Sequence, residues 1–163
     1  MPVQEMSLVL ANRPGSLRNV AHLLAEGRIN VAALSVATHS NRSFCRLVVS
    51  DTENALWRLR KAGYKVDVAD LLIVHLEDKS GALLRVLDVL AVKKLNVLAA
   101  CILVTRAHQR VLAGLAVSNP ARARTLLSES GFLEAGAEEL ITNADLVAGT
   151  PSEVPGVSVG MLL

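Results

Sequence analysis

Apolar and polar positions along this chain follow two periods, one suited to strands and one to helices, and the succession runs twice. Val3 to Leu10 is apolar and strand-like until Asn12-Arg13-Pro14-Gly15 stops it. Leu17, Val20, Ala21 and Leu24 then recur at helical spacing, which predicts a helix over Ser16–Glu26 with Gly27 as its stop. Asn30–Thr38 and Ser43–Ser50 read as strands two and three, joined by a polar turn over His39–Arg42. Asp51-Thr52 caps a second helix over Glu53–Ala62, and Tyr64–Val68 is strand four. The order is β-α-β-β-α-β.

The second run begins at once. Leu71–Glu77 is a strand, and Gly81–Lys94 is a helix with Leu83, Val86, Leu87 and Leu90 on one face. Asn96–Thr105 and Val111–Val117 are strands around a loop at Arg106–Arg110. Asn119-Pro120 opens another helix with proline at its first position, and Phe132–Leu140 is a weak fourth strand. Gly15 and Gly81, Leu17 and Leu83, and Val20 and Val86 stand at a common offset, as do the two Asn-Val pairs. Past the longer loop Ser50 matches Ser118, and Gly63-Tyr64 matches Gly131-Phe132. A repeat of this size predicts two tandem copies of one small α+β unit. The expected division is residues 1–70, residues 71–142, and an irregular tail over 143–163. The short junction at Ala69-Asp70 predicts that strand four of the first copy runs into strand one of the second.

Composition supports this picture. The chain has 163 residues, 52% of them hydrophobic, and few aromatics, so Val, Leu, Ile and Ala must build the core. The net charge is +2 with both signs mixed along the chain, which leaves no footprint for nucleic acid or an anionic membrane. Cys45 and Cys101 have no CxxC neighbour and read as reduced, buried residues. No apolar run reaches the ~20 residues that a membrane helix needs. These features predict a cytoplasmic protein.

Catalytic signals are weak. No His stands at metal-ligand spacing from another His or Cys, and no phosphate-cradling loop or nucleophile elbow occurs, so neither metal nor cofactor is expected. His75 and Glu77 share a strand face, but no nucleophile accompanies them. The order β-α-β-β-α-β is that of a ferredoxin-like unit. RNA-recognition modules of this fold stack bases on strand aromatics, which are nearly missing here.

The glycine turns between strand one and helix one are the most suggestive places. Gly15 and Gly81 allow close backbone approach, and the helix behind each presents N–H groups and a positive dipole end suited to a carboxylate. Asn12 and Asp78, three residues earlier, offer polar groups for an ammonium. The same arrangement is also an ordinary turn and capping device.

The Asn-Arg-Pro-Gly-Ser-Leu turn, the Asn-Val after helix one and the element order together resemble the ACT domain family, over both copies. In the second copy Ser80 stands where that family usually has proline. The resemblance implies a regulatory, non-enzymatic protein that binds a small ligand, usually an amino acid, at an interface between units. It points to Asn12, Arg13, Pro14, Gly15, Ser16 and Leu17, to Asp78, Lys79, Ser80, Gly81, Ala82 and Leu83, and to Asn30 and Asn96 at the start of strand two. The alternative is an interaction subunit of a metabolic enzyme with merely structural turns. Two ferredoxin-like units with helices on one face leave an apolar sheet face bare, which predicts a homodimer.

Overall fold

The computed structural model describes residues 3–105, 110–136 and 139–140. Ten elements follow one another: β1 (Val3–Ala11), α1 (Ser16–Glu26), β2 (Val31–His39), β3 (Arg42–Val49), α2 (Thr52–Lys61), β4 (Val66–Glu77), α3 (Ala82–Val92), β5 (Val97–Thr105), β6 (Arg110–Val117) and α4 (Pro120–Glu129). They form the α+β fold of two ferredoxin-like units. The six strands make one antiparallel sheet in the order β2-β3-β1-β4-β6-β5.

β4 joins the copies. Its first half pairs with β1, from Leu8↔Val66 to Val3↔Leu71, and its second half with β6, from Leu72↔Leu115 to Glu77↔Arg110. Strand four of one copy is thus continuous with strand one of the next, as the missing linker predicts. Other local features also recur one repeat apart. β2 and β5 carry register shifts at Val31/Ala33 and Val97/Ala99, and Arg28 and Lys94 take left-handed conformations after α1 and α3. Gly27 does not itself adopt that conformation (φ −80°). A Cβ there would lie 2.5 Å from Arg58 Nε, so a larger residue would have to push the Arg58 side chain aside.

The second fourth strand departs from expectation. Among the described residues of Phe132–Leu140, only an isolated antiparallel bridge, Val74↔Glu134, pairs with β4. Its register is that of Leu8↔Val66 in the first copy. Continuing it would place residues 137–139 against Ala69–Leu71, where β1 already pairs. That edge of β4 is taken, so the pairing cannot continue. The Arg106–Arg110 loop apart from Arg110, and the 143–163 tail, lie outside the described residues.

Each copy buries one sheet face under its two helices. Met6, Leu8, Cys45 and Leu47 meet Val20, Leu24 and Leu59 in the first, while Leu72, Val74 and Leu115 meet Val86, Leu90 and Leu127 in the second. Fully burying a Leu or Met side chain contributes about 1.5–3 kcal/mol. A third cluster lies on the opposite, helix-free face. It draws Val3 and Val48 from the first copy, Leu71 and Ile73 from β4, Leu112 and Ala116 from the second, and Ala135 and Leu140 from the end of the described chain. The sheet curls toward that side, so one chain partly buries the face that the sequence left bare.

Candidate functional site

Both glycine turns adopt the conformation that their glycines suggested. Gly15 (φ 87°) and Gly81 (φ 84°) stand in the left-handed region at the N-caps of α1 and α3. Neither helix receives a side-chain cap. The other two helices do: Asp51 accepts from the Asn54 N–H at 3.0 Å and Asn119 from the Arg122 N–H at 3.0 Å. The first-turn N–H groups of α1 and α3, which lack intrahelical acceptors, are therefore left uncapped by side chains at these two termini. The turn backbone closes on itself through Ser16 N–H to Arg13 O and Ala82 N–H to Lys79 O.

The candidate side chains are not equally available. Asn12, Arg13, Pro14, Gly15 and Leu17 are exposed and Ser16 is half-buried. Asn12 Nδ2 donates to Ser40 O at 2.9 Å, and its own N–H donates to Asn41 O, which ties the turn to the β2–β3 hairpin. In the second turn Asp78, Lys79, Ser80 and Gly81 are exposed, Leu83 is half-buried and Ala82 is buried in the helix-covered core. Lys79 and Arg85 both pair with Glu77. Their hydrogen bonds and charge hold the Glu77 carboxyl below its usual range. Asn30 and Asn96 pin the starts of β2 and β5. Each donates its N–H to a serine hydroxyl (Ser50, Ser118) and accepts that serine's N–H through its carbonyl. That explains why the two serines recur.

The turns are not brought together. β1 ends beside the start of β4, whereas the second turn follows its end. At about 3.3 Å per residue, roughly 35 Å of strand separates them. One ligand cannot span both within a chain.

A cleft of about 490 Å³ lies beside the second turn, lined by His75, Glu77, Asp78, Arg85, Ser130 and Phe132 among others. His75 does not pair with Glu77. Its Nε2 lies 3.1 Å from Glu139 Oε2, and its buried Nδ1 has no hydrogen-bond partner among the described residues. The sequence reading missed this partner because Glu139 lies far along the chain. The one signal was that His75 stands where the first copy has Val9. A groove of about 700 Å³ occupies the related place in the first copy, lined by Ser7, Val9, Phe44, Arg46, Lys65 and Asp67 among others. Deeper on the same face Glu5 is buried with Arg46 3.7 Å away, and burial raises its carboxyl pKa despite that guanidinium. Among the described residues no cluster of His, Cys, Asp or Glu could hold a metal, and no helix is long and apolar enough to cross a membrane.

Residues 1–78 match the model of a family described as an ACT domain pair. Among solved structures, protein BT0572 from Bacteroides thetaiotaomicron superposes with a TM-score of 0.78 at 24% identity, over 86% of this chain and 96% of that one. The ligand-free regulatory subunit of aspartate kinase from Thermus thermophilus superposes with a TM-score of 0.60 at 15% identity, over 79% and 93%. The regulatory subunit of aspartate kinase from Thermus flavus gives 0.56 at 14%, over 88% and 94%. At these identities the likeness is one of fold. No curated relative matches the chain.

Proposed function

We propose that this chain, a tandem ACT-domain protein by the match over residues 1–78 and the repeat that follows, is a non-catalytic regulator that binds an amino acid at its glycine turns. The observation that carries the proposal is the contrast among helix N-termini. α2 and α4 are capped by side chains, whereas α1 and α3 start on left-handed glycines without a cap. Uncapped first-turn N–H groups and the helix dipole suit a carboxylate. In this reading the ligand carboxylate lies in the first turn at Gly15, Ser16 and Leu17, with Asn12 Oδ1, Arg13 and Pro14 around it. In the second the carboxylate meets Gly81, Ala82 and Leu83 through the backbone, with Asp78, Lys79 and Ser80 at the rim and Asp78 suited to the ammonium.

The turns lie at opposite ends of β4, so each site takes its remaining walls from another unit. Apolar side chains on the outer strands supply a reason to associate, since Leu34 on β2 and Leu98 on β5 are more than half exposed. A homodimer joined through these edges would bring Asn30 and Asn96, at the strand starts, near a turn of the neighbouring chain. We assign residues 1–70 and 71–142 to the two ACT units and 143–163 to a tail, and place the protein in the cytoplasm. No cofactor enters this scheme.

A second reading has one observation behind it. Asn12 spends its amide donors partly on Ser40 O, as a purely structural turn residue would. The chain would then be an interaction subunit of a metabolic enzyme with no free ligand. Equilibrium binding of the twenty amino acids to the wild type, Gly15→Val and Gly81→Val separates the two. Binding lost in one variant assigns that turn. Binding unchanged in both removes the turns from the site, and no binding at all favours the interaction subunit.

A further inference from the structure

We propose that the second unit holds a binding cavity of its own, between α4 and β4, for an amino acid with an aliphatic side chain. This site lies apart from both glycine turns and does not rest on the reading given for them.

The cavity follows from the strand that the second unit loses. In the first unit Leu8, Leu56 and Val66 pack together in the helix-covered core, and Val68 carries the strand on, opposite Met6. In the second unit Val74, Arg124 and Glu134 stand at the matching places. Past the Val74↔Glu134 bridge, no described residue continues the pairing on that edge of β4 over Leu72, the equivalent of Met6. Three apolar side chains thus give way to one smaller and two charged ones, and the covering strand is gone. A cavity of about 320 Å³ remains. Leu72, Val74 and Leu127 form its aliphatic floor, Phe132 lines a wall, and Arg124 and Glu134 stand at its rim. Its size is at the lower end of the range for small-molecule sites, roughly 300–1,000 Å³.

The two charged residues decide the class of ligand. Arg124 Nε donates to both Glu134 carboxylate oxygens, at 2.9 and 2.7 Å. Among the described residues the terminal nitrogens of Arg124 donate no hydrogen bond, so the fork that suits a carboxylate is unused. Glu134 keeps lone pairs for an ammonium. Both side chains are partly exposed, at 42% and 39%, so a ligand can reach them from solvent. An intact pair of opposite charges matches a zwitterion, with the ligand carboxylate against the guanidinium and the ligand ammonium against Glu134. Asp70 also acts on Arg124 through its charge. The rim therefore carries more negative than positive charge. A bare carboxylic acid is disfavoured there, and a ligand that brings an ammonium as well is favoured. The floor offers no polar side chain, so the ligand's own side chain is aliphatic.

Calorimetric titration of the full-length protein tests this, with L-leucine as the probe. Isocaproate lacks the ammonium, isoamylamine lacks the carboxylate and glycine lacks the side chain. Leucine should bind, and each of the other three should bind at least about tenfold more weakly. Arg124→Leu with Glu134→Val gives the second unit the residues of the first and should abolish binding in a chain that thermal unfolding shows to be folded. Arg124→Gln preserves most of the side chain and should weaken binding about tenfold, and it carries the test if the double variant does not fold. Gly15→Val and Gly81→Val should leave leucine binding in place. No binding of leucine, or binding unchanged in the Arg124 variants, would overturn the proposal. Leucine binding lost only in a glycine variant would overturn it too, and would at the same time support the glycine turns.

Discussion

Val74 faces Glu134 across an isolated antiparallel bridge, in the register in which Leu8 faces Val66 one repeat earlier. The two pairs begin alike and end differently. In the first copy the pairing continues to Val3↔Leu71; in the second it stops, because β1 already holds the edge of β4 that it would need. Sharing one long strand gives the units a fixed register, and the second unit thereby loses most of its fourth strand. The displaced segment returns Ala135 and Leu140 to the core under the curled sheet.

That core makes Gly114 sensitive. A Cβ on Gly114 would lie 2.6 Å from Cys101 Sγ and 3.0 Å from Leu71 Cδ2. Gly114→Ala should lower stability by about 1–3 kcal/mol, the usual range for overpacking. Adding Cys101→Ala should return part of the loss, because it removes the nearest atom. Denaturant unfolding of the two single variants and the double measures the coupling, and strictly additive losses would contradict this packing.

The two kinds of helix start should respond differently to mutation. Asp51→Ala and Asn119→Ala each remove a cap and should cost about 1 kcal/mol. Gly15→Ala and Gly81→Ala meet no atom within 4 Å, so only the positive φ opposes them. They should cost about 1–2 kcal/mol and still fold. Urea midpoints compare all four, and unfolded glycine variants would show that the turns have hidden contacts.

Glu5 gives stability a pH dependence. Its carboxyl is pushed above the ordinary carboxylate range by burial, with Arg46 only partly compensating. A raised carboxyl pKa means that the folded chain holds this proton more tightly than the unfolded chain. The Glu5 contribution is therefore unfavourable at neutral pH, and the penalty fades as the pH falls through the raised folded value toward the unfolded one. Glu5→Gln should raise the Tm at pH 7 by about 2 °C, with the difference shrinking at acid pH. A loss of stability at pH 7 would mean that the pair with Arg46 outweighs desolvation.

Leu24→Ala should cost about 2–5 kcal/mol, since Leu24 is buried at the centre of the first core. A change below 1 kcal/mol in denaturant unfolding would place the core elsewhere.

Much of this architecture could be read from local sequence. Gly15 and Gly81 need positive φ, and only glycine adopts it readily, so the turns showed in the residue type itself. The fusion within β4 was legible because nothing between Val68 and Leu71 breaks a strand. The truncated fourth strand was not legible, because residues 132–140 lose a competition for a distant edge that no local pattern encodes. The His75–Glu139 pair was hidden for the same reason, as was the closing of the helix-free face. Among the candidate site residues, Ala82 is available only through its backbone, because its side chain belongs to the second core.

The measurement that reaches the central claim most directly is thermal unfolding of the full-length protein against each of the twenty amino acids, followed through Trp57 emission. An amino acid present at 100 times its dissociation constant should stabilise the chain by about 2.7 kcal/mol. The account predicts a clear rise in Tm with one amino acid or a small group of related ones, lost in Gly15→Val or Gly81→Val. Twenty unchanged curves at millimolar concentration would contradict it and leave the chain as an interaction subunit with structural turns.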